Sequence, residues 1–182
     1  MTAPAVQHLA LLGLMASGKS TVGRSVARRL GWTFVDVDDV IEASTGSTVA
    51  ELWESGGEQA FRLLERQVVV EALASASPNV LAAPGGVVID PVASEAVRAP
   101  GVLAVYLRAS PALLADRIEG DRDHRRPLVD DDPGAVMEKL FTERDARYRA
   151  LADHTIDADA MTPDQAVHAV LHLAIRHAHQ HQ

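Results

Sequence analysis

The stretch Gly13-Leu14-Met15-Ala16-Ser17-Gly18-Lys19-Ser20, followed by Thr21, has the pattern Gly-x-x-x-x-Gly-Lys-Ser. Each part of it suits a bound triphosphate. The glycines let backbone N–H groups converge on the β-phosphate, and a helix opening near Gly18 adds the positive end of its dipole. Lys19 supplies a point charge for the β- and γ-oxygens, and the Ser20 hydroxyl is a ligand for Mg²⁺. Gly13, Ala16, Ser17, Gly18, Lys19, Ser20 and Thr21 are therefore the candidate nucleotide-binding residues, with a nucleoside triphosphate and Mg²⁺ as the implied ligands. A Gly-rich turn ahead of a helix is the plainer reading. Its place between an apolar strand and an amphipathic helix favours the phosphate cradle.

A second group of chemically able residues is acidic. Asp36, Asp38 and Asp39 follow the second apolar strand, and ligands collect at the carboxyl ends of strands in an open parallel sheet. Carboxylates there can hold the water shell of Mg²⁺ or take a proton from an attacking hydroxyl. They can equally cap a helix, and Asp39, just before Val40-Ile41, is the candidate for that role. A third group is basic. Arg62, Arg126 and Arg144 could grip a carboxylate or a transferring phosphoryl group, because a planar guanidinium offers paired hydrogen bonds. Arg62 could instead pair with Glu65 on the same helical face, and Arg144 with Asp145 or Glu143.

The elements that must position these groups alternate along the chain. Residues 8–14 read as a buried strand, and Val22, Val26, Ala27 and Leu30 recur at helical spacing up to Gly31. Residues 33–35 are a second strand, 39–55 two short helices broken near Thr45-Gly46-Ser47, and 57–75 a longer helix. Strands follow at 79–83, 102–108 and 154–156, with helices at 91–98, from Pro111, at 134–151 and from Pro163. Strands alternating with helices mean βαβ units and one doubly wound parallel sheet.

Composition narrows the class. The 182 residues are 47% hydrophobic, enough for one sizeable core, and only 4% aromatic, as suits Val-rich strands and Ala/Leu helices. The formal net charge of -8 argues against nucleic acid as a partner. There is no cysteine and no run of about 18 apolar residues, so a cytoplasmic protein with no membrane partner is expected. One domain over residues 1–182, acting as a monomer on a small molecule, is the expectation.

The motifs taken in order resemble the shikimate kinases. The phosphate loop is followed by Val22-Gly23-Arg24, Phe34-Val35-Asp36-Val37-Asp38 and Ile41-Glu42, then by Thr45 to Trp53 and Gly57 to Glu65, and later by Arg126-Pro127-Leu128 and Glu143 to Tyr148. The resemblance spans about residues 8–157. It implies a three-layer kinase fold with a five-stranded parallel sheet in the order 2-3-1-4-5, helices on both faces and a mobile lid near 119–132. It also implies transfer of the ATP γ-phosphate to the 3-hydroxyl of shikimate, with Lys19, Asp38 and Arg126 catalytic. Asp38, Arg62, Gly85, Gly86 and Arg144 would hold the acceptor, within a subregion near 37–65 and beyond. Ser20 and Asp36 would hold the metal, and Trp53, Phe61, Pro127 and Leu128 would wall the pocket.

The chain departs from that family at one telling place. Pro84 stands where the family carries the first of three glycines, and proline has no N–H to donate. A related hydroxy acid or polyol therefore stays open as the acceptor, and a catalytically silent nucleotide-binding module is the alternative from another class. Asp157 to Pro163 lacks the arginine often found after the last strand, so no side chain is assigned to adenine. Six of the eight histidines lie at or after His154. His168 and His172 share a helical face at a spacing that can bind a metal, but two ligands fall short of a structural site.

Overall fold

A computed structural model describes residues 6–120 and 132–179. The elements are β1 (His8–Leu12), α1 (Lys19–Leu30), β2 (Thr33–Asp36), α2 (Val37–Thr45), α3 (Val49–Leu73), β3 (Asn79–Ala82), α4 (Pro91–Val97), β4 (Val102–Arg108), α5 (Pro111–Gly120), α6 (Pro133–Leu151), β5 (His154–Asp157) and α7 (Pro163–His179). The five strands form one parallel sheet in the order β2-β3-β1-β4-β5, as expected. β1 lies at the centre, with Leu11 opposite both Ala82 and Val105.

The two faces of the sheet are read straight from strand alternation. Leu9, Leu11, Val80, Leu103, Val105, Leu107 and Ile156 point to one face and pack with α1 and α7. Ala10, Leu12, Leu81, Ala104 and Tyr106 point to the other, against residues of α2 to α6. Both faces are covered, which is why β1 is buried at every position.

Helix ends follow the local chemistry. Gly18 and Gly31 flank α1 in left-handed conformation, at φ 95° and 69°. Thr48 and Glu51 close a reciprocal capping box at the start of α3. Asp90 caps α4, and Asp132 caps α6, ahead of Pro91 and Pro133 at the first helical positions. The cap of α2 corrects an expectation: Asp36 fills it, accepting from the Asp38 N–H, while Asp39 lies one turn on and pairs with Arg24. Asp36 is the last extended residue, at φ -100° and ψ 124°, the backbone an N-cap requires.

The expected break near 45–47 falls between α2 and α3. The helix expected over 57–75 is joined to the one before it, and α3 runs from Val49 with a single non-helical residue, Gly57, at φ 71° and ψ 175°. In a straight helix Trp53 and Phe61 would lie about 12 Å apart along the axis. The kink folds their ring centroids to 5.9 Å.

Candidate active site

The phosphate loop turns directly off the central strand. Gly13 has φ 146°, and a Cβ there would lie 2.7 Å from Ser17 Oγ and 2.8 Å from the Leu107 carbonyl. No other residue fits without moving backbone. Ala16 is left-handed at φ 60°, the one such non-glycine among the described residues. The loop therefore curls back on itself and presents its N–H groups around the start of α1. Lys19 Nζ donates to the carbonyls of Gly13 and Leu14 at 2.9 and 2.8 Å, so the ammonium arches over the loop. Ser17 Oγ is buried in the loop with no hydrogen-bond partner among the described residues.

Ser20 and Asp36 meet across the sheet edge. Ser20 Oγ donates to Asp36 Oδ2 at 2.6 Å, and Asp36 Oδ1 accepts from the backbone of Asp38 at 3.2 Å. A hydroxyl and a carboxylate, both oxygen donors and both held in place, are the hard ligand set that Mg²⁺ prefers. The capping role of Asp36 is what holds its carboxylate at Ser20.

Next to this cradle lies a cluster of side chains from three helices. Arg62 of α3 donates to Glu65 at 2.7 Å and to Glu58 at 3.2 Å. The ion pair open as the alternative role for Arg62 is thus present, but Glu65 is buried rather than on the surface. Burial raises the Glu65 carboxyl above 4.5, Arg62 pulls it back, and Asp38 raises it further. Burial lowers Arg62, and Glu65 and Glu58 more than reverse this. The Arg62 guanidinium, itself permanently charged, lies 2.7 Å from Glu65 and is the group that chiefly opposes the rise of its carboxyl. Glu65 on α3 also feels the charges of Asp38 on α2, which raises its carboxyl, and of Arg144 on α6, which lowers it.

Arg144 does not pair with Asp145 or Glu143. Its Nη1 donates to the Gly85 carbonyl at 2.9 Å, and Tyr148 Oη donates to the same oxygen at 2.6 Å. Arg144 Nε is buried with no partner among the described residues. Asp145 points the other way, accepting from Arg108, Arg149 and Tyr106. Burial raises its carboxyl, but the hydrogen bonds from Arg149 and Tyr106 outweigh this and hold it below 3.8. Tyr106 and Tyr148 stack at 4.8 Å, and burial pushes both phenols well above their ordinary range.

Pro84, Gly85 and Gly86 join the two parts. The Pro84 carbonyl accepts from Val87 N–H at 3.0 Å, closing a turn that needs no N–H from the proline. A Cβ on Gly85 would lie 4.0 Å from the Gly13 carbonyl and 3.8 Å from Arg144 Nη1, and one on Gly86 only 2.6 Å from Arg62 Nη1. These glycines thus lie against the phosphate loop on one side and both arginines on the other. A cleft of about 420 Å³ opens beside them, lined by Arg62, Glu65, Arg66, Gly86, Val87 and Asp90. Trp53 and Phe61 pack against each other, with the Arg62 guanidinium 5.7 Å over the Trp53 ring, but neither lines this cleft, and Phe61 is buried in the core. Arg126, Pro127 and Leu128, and most of the lid expected over 119–132, lie outside the described residues.

Three contributors carried no assigned role in the sequence. Glu65 was visible only as a partner for Arg62. Tyr148 lies one helical turn beyond Arg144, so the spacing placed them on one face, but nothing placed that face against Gly85. Arg117 of α5 donates to the Ala16 carbonyl at 3.1 Å, across 101 residues of chain that no local pattern could bridge.

A parallel 2-3-1-4-5 sheet with this loop between β1 and α1 defines a P-loop phosphotransferase. Comparison with known proteins narrows it. The family model described as shikimate kinase matches residues 15–174. A shikimate kinase of Thiobacillus denitrificans is 44% identical over 151 residues, covering 82% of this chain and 80% of that protein. One of Paramagnetospirillum magneticum is 40% identical over 163 residues, covering 90% and 82%. The solved shikimate kinase of Acinetobacter baumannii, in complex with shikimate, superposes with a TM-score of 0.86 at 32% identity, covering 94% of each chain. The chain belongs to the shikimate kinase family, whose members are phosphotransferases with an alcohol group as acceptor.

Proposed function

We propose that this chain transfers the γ-phosphate of ATP to the 3-hydroxyl of shikimate. The observation that carries the reading is the cluster at Gly85 and Gly86, where Arg144 and Arg62 converge beside the phosphate loop. Two guanidiniums set against a polar backbone suit a small hydroxylated carboxylate, which each can grip through paired hydrogen bonds. The relatives named shikimate kinase support the same acceptor.

On this reading the loop amides from Gly13 to Thr21 hold the phosphates, and Lys19 neutralises charge on the β- and γ-oxygens. Ser20 and Asp36 would hold Mg²⁺, which would supply positive charge to the transferring phosphoryl group. Arg62 and Arg144 fix the acceptor carboxylate. Asp38 orients the attacking hydroxyl and takes its proton as the oxygen bonds to the γ-phosphorus and ADP departs. Arg126, carried by the lid, adds positive charge as the site closes and water is excluded. The chain is read as a single domain acting as a cytoplasmic monomer. Among the described residues no helix is long and apolar enough to cross a membrane.

Incubation with ATP, Mg²⁺ and shikimate should release ADP and form shikimate 3-phosphate. ADP release at the rate of an acceptor-free control overturns the proposal. Pro84 favours one second reading, a related hydroxy acid or polyol as acceptor. A panel of such acceptors beside shikimate, compared by kcat/KM, decides between them.

A further inference from the structure

The C-terminal histidines take no part in the chemistry above. Topology brings two of them together. α7 follows β5 and returns antiparallel to it, so its last turns reach back toward the first residue of the strand. His154 opens β5 and shares parity with Ile156, which is buried on the face that α7 covers. His177 sits near the end of α7. Their Nε2 atoms are 3.3 Å apart, with ring centroids at 5.4 Å and planes at 76°. Both side chains are half-buried.

That separation has a chemical meaning. Two imidazole nitrogens bound at about 2.0–2.1 Å to one tetrahedral zinc lie about 3.3–3.4 Å apart. A hydrogen bond between two neutral imidazoles prefers a shorter distance, about 2.9–3.0 Å. We propose that His154 and His177 form a two-nitrogen site for a divalent transition metal of the zinc type. Two protein ligands are too few for a closed structural site, so the site is an open one in which water fills the remaining positions; no group of three or more candidate ligands gathers among the described residues.

The site is separate from that of Mg²⁺ in place and in chemistry. It lies at the strand-start end of β5, whereas Ser20 and Asp36 gather at strand ends. Imidazole suits zinc, nickel and copper, while Mg²⁺ prefers oxygen. The pair that sequence spacing offers, His168 and His172, is a poorer candidate. His168 Nε2 faces the Arg29 guanidinium at 3.5 Å, a cation that a metal would have to displace. A metal on His154 and His177 clips the end of α7 to an edge strand.

The test is calorimetric titration of the full chain with ZnCl₂ under saturating Mg²⁺. The proteins are wild type, His154→Gln, His172→Gln, and a double variant carrying His179→Gln and His181→Gln. The wild type should bind one zinc. His154→Gln should weaken binding at least about tenfold, as loss of one of two protein ligands demands. His172→Gln and the tail double variant should stay within about threefold of wild type, because neither removes a proposed ligand. Zinc should also raise the Tm of wild type and not of His154→Gln. Kinase activity with Mg²⁺ should be the same in wild type and His154→Gln, which also checks that the variant is folded. Three results overturn the proposal: no zinc bound by wild type, unchanged binding by His154→Gln, or binding that disappears with the tail histidines alone. The first would leave a shared proton as the account of the 3.3 Å contact.

Discussion

The phosphate loop and the proposed acceptor cluster lie side by side but are built on opposite principles. The loop is nine consecutive residues, Gly13 to Thr21, and its business is done by backbone N–H groups and one lysine. Its shape is set by local conformation, with Gly13 at φ 146°, Ala16 at 60° and Gly18 at 95°. The acceptor cluster is side chains from α2, α3 and α6 closing on the turn after β3. Its shape is set by contacts such as Arg144 to Gly85, 59 residues apart. A site made of backbone is robust to most substitutions outside its glycines. A site made of distant side chains can change specificity through a single one of them. The two halves should therefore fail separately.

The largest expected effect breaks the loop half. Lys19→Ala should lower kcat by about 10²–10³, the usual cost of losing one preorganised charge at the transferring group. The acceptor affinity should be unchanged, which equilibrium binding of shikimate to the variant measures directly. Next come the acceptor arginines. Arg144→Ala or Arg62→Ala should raise the acceptor KM about 10- to 100-fold, the loss of a charge-assisted hydrogen bond. The KM for ATP should move by less than about twofold. Equal losses on both substrates would show that the two halves are one.

Gly86→Ala sharpens the comparison without deleting a charge. The new Cβ would meet the flexible end of Arg62 at 2.6 Å, so Arg62 must swing aside while the backbone stays. The acceptor KM should rise about tenfold, with the melting temperature within a few degrees of wild type. The smallest effect concerns support. Asp145 ties β4 to α6 through Arg108 and Tyr106. A carboxyl held below its unfolded value adds stability at pH above 3.8, and that stability is lost as pH falls through the depressed value. Asp145→Asn should therefore cost about 1 kcal/mol at pH 7. The gap between the two melting curves should close in acid below pH 3.8.

The same contrast explains what the sequence could reveal. The sheet order and the phosphate loop were legible because motif and periodicity are local or carried by family resemblance. The cap of α2 was placed on Asp39, three residues late, because Asp36 serves as both last strand residue and cap. Tyr148 was visible as a residue, but its grip on the Gly85 carbonyl depends on how α6 docks. The pairing of His154 with His177 was likewise invisible, since 23 residues separate them and only the return of α7 joins them.

The kink at Gly57 has a mechanical side. Residues 49–56 form an arm about 12 Å long, hinged at one residue with no side chain to obstruct rotation. A turn of about 10° at that hinge carries the far end of the arm about 2 Å, by the rise of the helix alone. Trp53 lies close to the pivot and moves less than Val49 does. The far end of that arm is not free: the Val49 N–H donates to Glu42 at 2.9 Å, so a turn at Gly57 would carry α2 along with the capping box.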